Sequence, residues 1–422
     1  MKIRSLTVGV PLRWPFAPTA LDDIGAFARD LRARLAAGGY EVQTVRLAGP
    51  PLSTVLAGTD GGEALAYVRA LETAARERGF EYVSVGPVRI LDAPSARHRH
   101  AALDLINVLP EIVRATEATF CSVLVASHNG GVHLPAVERT AEAIADIART
   151  TPDGFGNLRF AALANCPPHI PFFPAAYHEG SHPRYALALE AADVAVEAFT
   201  NAASLDEARR RLIAALDGHW QRLERILSPE QSFFGAAVDG AAGGSSVAFG
   251  GVDLSLAPFP DDERSIAVAL ERLGVAQFGA SGTLFAAAVL TSALGSVHMP
   301  RTGYSGLMLP VLEDSRLAQR ASEGLVSVDS LLLYAAVCGL GLDTVPLPGD
   351  TGSDELAAII LDMATLAARL DKPLTARLFP VPGARAGDRT AFDFPYFANS
   401  RVLAVRGLGA AALLARGEVV RL

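Results

Sequence analysis

The sequence predicts an α/β fold: a ten-stranded barrel of two five-stranded parallel halves closing on each other, with the helices outside. Three observations predict it. Five apolar, strand-length segments begin at nearly even spacing in the first part of the chain; each is followed by an amphipathic, helix-length segment; and five more strand-length segments follow the midpoint. The spacing, roughly 40 residues, is that of one strand plus a helical crossover and its loops. Ten parallel strands in one row would make a very long open sheet, so two halves closing on each other is the compact solution.

The first strand is expected at 3–10. Behind it, 21–37 places Leu21, Ile24, Phe27, Leu31 and Leu35 on one helical face, and Gly38-Gly39 supplies the left-handed stop. Strands at 41–47, 82–88, 120–126 and 158–165 alternate with helical periodicity at 63–78, 101–116 and 134–150. A further helix is expected at 205–227, while 185–199 fits either strand or helix. The small-residue string DGAAGGSSVAFGG at 239–251 suits a flexible crossover. It divides a single domain, 1–422, into a first half of about 1–238 and a second of about 246–422. Second-half strands are expected at 246–255, 307–312, 342–347, 374–381 and 401–406, with helices at 261–273, 283–295, 328–337 and 354–370.

Composition narrows the function classes. Half the residues are hydrophobic, and 45 acidic against 37 basic side chains give a net charge of -8. No basic stripe suits nucleic acid phosphates or an anionic membrane, so neither is an expected partner. The apolar stretches are strand-length or broken by charge, which argues against a transmembrane helix. Met1-Lys2-Ile3-Arg4 runs straight into the first strand without an apolar leader, so the expected location is the cytoplasm. Three widely separated cysteines do not make a disulfide framework. Self-association stays open.

The strings NCPPHIPFFPAAYH (165–178), RTGYSGLMLPVLED (301–314), VDSLLLYAAVCGLGLDTVPLPGD (328–350) and KPLTARLFPVPGARAGD (372–388) resemble the domain-of-unknown-function 711 family. The resemblance runs over nearly the whole chain. It implies a pyruvate formate-lyase-like fold, that of the glycyl radical enzymes, whose ten strands form two antiparallel five-stranded halves. It implies no reaction. Arg301-Thr302-Gly303-Tyr304 is similar to the Arg-Val-x-Gly-Tyr signature around the radical glycine of those enzymes. It is one residue short, it lies far from the C-terminus, and Cys338 follows it instead of preceding it, so glycyl radical chemistry is not expected.

Candidate chemistry concentrates in loops at strand ends, where parallel α/β architectures gather ligands. Asn129-Gly130-Gly131 marks a turn that presents His128 and Asn129; the next loop offers Cys166 and His169. No spacing there is a zinc signature, and metal content and cofactors stay open. Arg301 and Tyr304 can bond a neighbouring loop or a ligand carboxylate, with Gly303 serving a tight turn. Cys338 ends an apolar segment, where a helix C-terminus opposes a thiolate; it is a buried structural thiol or a thiol brought close by Gly339 and Gly341, with Asp343 nearby. Glu313-Asp314 opens a helix, where acidic side chains cap.

Two functions compete. The first is an enzyme acting on a small carboxylate metabolite held in the barrel. Arg301 clamps the acid, Tyr304 or His128 moves a proton and Cys338 supplies a thiol, with Asn129, Cys166, His169, Gly303 and Asp343 completing the pocket. The second is a metabolite-binding or regulatory protein on an enzyme-like barrel, favoured by the lack of a compact acid–base or nucleophile constellation.

Overall fold

A computed structural model describes residues 1–57, 61–227, 247–407 and 409–422. The strands are β1 (Lys2–Gly9), β2 (Val45–Ala48), β3 (Tyr82–Arg89), β4 (Thr119–Ser127), β5 (Gly131–His133), β6 (Phe160–Ala164), β7 (Arg184–Glu190), β8 (Ala248–Ala257), β9 (Gly341–Pro348), β10 (Leu374–Val381) and β11 (Val419–Val420). They form one mixed sheet whose main path is β8-β7-β1-β2-β3-β4-β6-β10-β9; β5 hairpins off β4 and pairs with β11.

Direction divides this path. β1, β2, β3, β4 and β6 run parallel. β7 joins antiparallel to β1 and carries β8 parallel to itself; β10 joins antiparallel to β6 and carries β9 parallel to itself. Two parallel groups therefore meet antiparallel at both junctions, the reversal falling between β6 and β7 in sequence. Helices such as Leu134–Thr150 and Ser353–Leu370 pack against the sheet and each other. The strands are buried on both faces, which is why they read as Val-, Leu- and Ala-rich runs without alternation.

The sheet is not closed by a continuous ladder. Its edges, β8 and β9, are each met by the segment 300–312 through an isolated bridge, Val252 with Arg301 and Pro310 with Asp343. The strand expected at 307–312 does not form. Pro310 has no N–H to give, and the Leu312 N–H turns to the Thr344 hydroxyl at 3.3 Å, which leaves Val311 N–H to Asp343 C=O as the backbone bond to β9, with Gly339 N–H to Leu307 C=O just before that strand. The strand expected at 401–406 is also absent; Arg401 bridges Arg389, and the Leu403 N–H reaches back to Pro346. The segment 185–199 resolves into both alternatives, β7 and then a helix, Ala192–Phe199. The helix expected at 101–116 is two, Ala96–Ile106 and Leu109–Ala115, with Pro110 in the first turn of the second. In the expected crossover, 239–246 lies outside the described residues, whereas 248–251 already belongs to β8.

Among the described residues, no helix is long and apolar enough to cross a membrane.

Candidate functional site

The two ends of the sheet differ in what fills them. At the end where the first-group strands finish, the loop after β6 folds inward: the Ser5 and Thr7 hydroxyls both donate to the Pro171 carbonyl, and Ser84 donates to Ala176 at 2.6 Å. Ile170, Ala175 and Ala176 are fully or almost fully buried, so this loop is a plug. At the end where those strands begin there is a cavity of about 90 Å³. At roughly 10–15 Å³ for each water-sized group, it takes roughly six to nine such groups.

Four strands supply its charged wall. Arg4 comes from β1, Arg46 from β2, Asp343 from β9 and Arg377 from β10, while Glu313 comes from the 300–312 segment's end. Glu313 is shared, receiving Arg4 Nη2 at 2.7 Å and Arg377 Nη2 at 2.8 Å. Arg377 Nε donates to Asp343 at 2.5 Å. Burial pushes the Asp343 carboxyl above its ordinary range, against the pull of the Arg377 charge. Arg377 itself, despite burial, is held above its ordinary range by Asp343 and then Glu313. The pair is an ion pair with both partners committed.

Arg46 is different. Its Nε donates to the Thr44 hydroxyl at 2.8 Å, and among the described residues no carboxylate lies within ion-pair distance of it. Its guanidinium lies over the Tyr82 ring at 5.7 Å and the Phe173 ring at 5.2 Å. Burial first, and the neighbouring Arg4 charge second, bring it down to about 9, so it is charged at neutral pH, with Glu313 acting on it only from beyond ion-pair distance. The wall itself carries three guanidinium groups and two carboxylates, and Arg4 also reaches Glu190 outside it at 3.4 Å. The rest is mostly apolar or aromatic, including Phe120, Phe172, Met308 and Leu340, with Gln43, Thr44 and Thr375 as neutral polar members.

Of the residues picked out in the sequence, Tyr304 and Asp343 line this cavity. Cys166 touches it indirectly, its sulfur 3.7 Å from the Tyr304 hydroxyl. Burial pushes the Cys166 thiol up to about 12, so it is protonated. The others are elsewhere. Arg301 is exposed, and its Nη2 donates to the Gly295 and Val297 carbonyls at 2.8 and 2.6 Å, closing the C-terminal end of the helix Thr283–Gly295. His128 bonds the Ala368 carbonyl through Nδ1 at 2.8 Å on the outer rim, and Asn129 beside it is exposed. His169 stands in the plug, its ring 5.2 Å from that of His178. Gly303, at φ +67, lets the chain pass Asp253, whose Oδ2 would lie 2.0 Å from a Cβ there. Cys338 is buried in the main core, its thiol raised by burial, and the helix end beside it is met by Lys372 Nζ on the Ala335, Ala336 and Cys338 carbonyls. Arg301, His128, Asn129 and Cys338 therefore do not share the cavity with Tyr304. Of the acidic pair at 313–314, Asp314 is the cap, accepting the Leu317 N–H, while Glu313 turns into the cavity.

Arg4, Arg46, Arg377 and Glu313 were not read as a site from the sequence, though a signal exists. Thr44-Val45-Arg46-Leu47 at the start of β2 and Thr375-Ala376-Arg377-Leu378 in β10 repeat one pattern. Each Thr and Arg are two apart, hence on one face of a strand that is otherwise apolar, and both pairs line the cavity.

A family model described as "Uncharacterised ACR (DUF711)" matches residues 1–396. The chain belongs to this family. Every charged residue of the cavity wall falls inside the matched range. Among curated relatives, a UPF0210 protein of Pyrobaculum arsenaticum is 34% identical over 404 residues, spanning 92% of this chain and 87% of the relative. Another, of Desulforudis audaxviator, is 32% identical over 437 residues, spanning 99% and 93%. A third, of Methanopyrus kandleri, is 31% identical over 411 residues, spanning 92% and 88%.

Proposed function

We propose that the chain binds a small carboxylate inside this cavity, with the acid group on Arg46. What carries the reading is the Arg46 guanidinium, 8% exposed, charged and without a carboxylate partner among the described residues. A buried unpaired charge is costly, and a monoanion balances it. The planar fork suits a carboxylate, and the apolar wall suits a short carbon chain. The cavity volume favours a compact acid over a nucleotide.

Calorimetric titration with acids of three to six carbons tests this, with amines of equal length as controls. Acids bind and amines do not, and Arg46→Gln weakens the best acid about 30-fold, the equivalent of about 2 kcal/mol for one charge-assisted contact. Equal affinity in Arg46→Gln overturns the reading.

A catalytic reading is favoured by Tyr304, whose neutral hydroxyl faces the same cavity and could hydrogen-bond a reacting oxygen, beside an Asp343 carboxylate paired with Arg377. Cys338 and His128 contribute nothing to the cavity wall, so this reading gives them no step. Turnover of a bound acid, followed by mass change, separates enzyme from binder.

The closed barrel belongs to the same proposal. The segment 300–312 completes a ten-strand ring between β8 and β9, supported by its bridges to both edges, and unites 1–422 in one domain with a first and a second half. Such closure is what the resemblance to the glycyl radical enzyme fold implies.

A further inference from the structure

Arg46 is not alone in facing the cavity short of protein acceptors. Tyr304, 7% exposed, lines the same space, and among the described residues its hydroxyl has one hydrogen-bond partner, the Cys166 sulfur at 3.7 Å. Sulfur is a weak acceptor, and the thiol's own hydrogen has the Ala164 and Leu374 carbonyls at 3.5 Å to choose from. Burial, with Cys166 adding to it, holds the phenol far above its ordinary range, so it is a neutral donor at any working pH.

Most acceptors on the wall are already engaged; the exception is Gln43 Oε1, buried without a partner among the described residues. Glu313 takes Arg4 and Arg377, Asp343 takes Arg377, and the Thr44 hydroxyl takes Arg46. Thr375 adds no free donor, since its hydroxyl is turned to the Leu340 carbonyl at 3.1 Å. The cavity thus presents Arg46 as a cationic donor and Tyr304 among its neutral donors, which also include Gln43, Tyr82 and Tyr396, on a wall whose apolar part includes Met308 and Leu340.

We infer that the ligand carries, besides its carboxylate, a second oxygen acceptor that receives the Tyr304 hydroxyl: a short oxo- or hydroxy-acid, not a plain aliphatic acid. The inference rests on the carboxylate reading above. Arg46 takes the charge, Tyr304 takes the ketone or hydroxyl oxygen, and the methylenes between them lie on the apolar wall. A site built to donate to a substrate oxygen rejects the analogue lacking it far better than an apolar pocket rejects one methylene fewer, because the donor is then left buried and unpaired.

The test is calorimetric titration of the full chain with pentanoate and with its 2-, 3- and 4-oxo and hydroxy counterparts, in wild type and Tyr304→Phe. At least one oxygenated acid binds wild type about tenfold or more tighter than pentanoate. Tyr304→Phe brings that acid close to pentanoate and leaves pentanoate itself unchanged. Cys166→Ser, which gives the phenol a stronger internal acceptor, narrows the preference in the same direction and serves if Tyr304→Phe does not fold. Equal binding of plain and oxygenated acids to wild type overturns the second acceptor while the Arg46 reading stands, as does an unaltered preference in the variants. Binding of no acid by wild type overturns the carboxylate reading and this inference with it.

Discussion

Arg46 keeps its orientation through one neutral contact. The Thr44 hydroxyl accepts its Nε at 2.8 Å and itself donates to the Arg4 carbonyl at 3.0 Å, so a residue two positions away on the same strand face fixes the fork. Thr44→Val is isosteric but removes that acceptor. It lowers acid affinity about 3- to 10-fold, on the scale of one ordinary hydrogen bond, and Thr44→Ser restores most of it; parallel titrations check this. Gly303 makes a purely structural demand. A Cβ there collides with Asp253 Oδ2, which accepts the Tyr304 N–H while Oδ1 accepts the Ser305 N–H, and φ is +67. Gly303→Ala costs about 2–4 kcal/mol in urea unfolding through strain and the displaced carboxylate. At this scale the sequence was partly legible. Tyr304 and Asp343 are polar groups beside glycines and could be found. Arg46 and Arg377 sit inside apolar strands, and their facing into a cavity follows from which sheet face is enclosed, which spacing alone does not state.

Helices and loops show why one end of the sheet is filled. Asp314 caps two helices at once: its Oδ1 accepts the Ser265 hydroxyl and the Leu317 N–H, and its Oδ2 accepts the Ile266 N–H at 2.7 Å. Asp314→Ala leaves these donors buried and costs about 2–4 kcal/mol, measured by denaturant unfolding. The plug contains His178, 1% exposed, with both ring nitrogens lacking a partner among the described residues. Burial, and then the neighbouring His169, pulls it from 6.5 to about 4. The unfolded chain therefore takes up a proton first as pH falls, and stability present above about pH 6.5 is lost between there and about pH 4. From about pH 7 to 5 the loss attributable to His178 is about 2 kcal/mol, and His178→Phe flattens the stability–pH curve by that amount. The loops at this end were legible as histidine-rich, but not as a plug. That role comes from Ser5, Thr7 and Ser84, which present hydroxyls to the Pro171 and Ala176 carbonyls from strands distant in sequence.

Across the whole molecule, the parallel first group follows from the βα rhythm, and the two antiparallel junctions match what the family resemblance implies. Two of the ten expected strands, 307–312 and 401–406, do not form, whereas 184–190 does. That segment was ambiguous because a buried strand and a buried helix, one after the other, form a single apolar run. Closure rests on 300–312. Its contacts, Thr302 N–H to Val252 at 3.1 Å and Val311 N–H to Asp343 at 3.0 Å, predict amide exchange at Thr302 and Val311 nearly as slow as in β8 and β9. Exchange at the rate of an open loop would separate the edges. The central claim, an acid seated on Arg46, is tested most directly by a crystal structure of the chain soaked with the tightest-binding short acid. The prediction is a carboxylate within hydrogen-bond distance of the Arg46 guanidinium, inside the cavity lined by Tyr304 and Arg377. An acid found only on the outer surface, with Arg46 untouched, would contradict it.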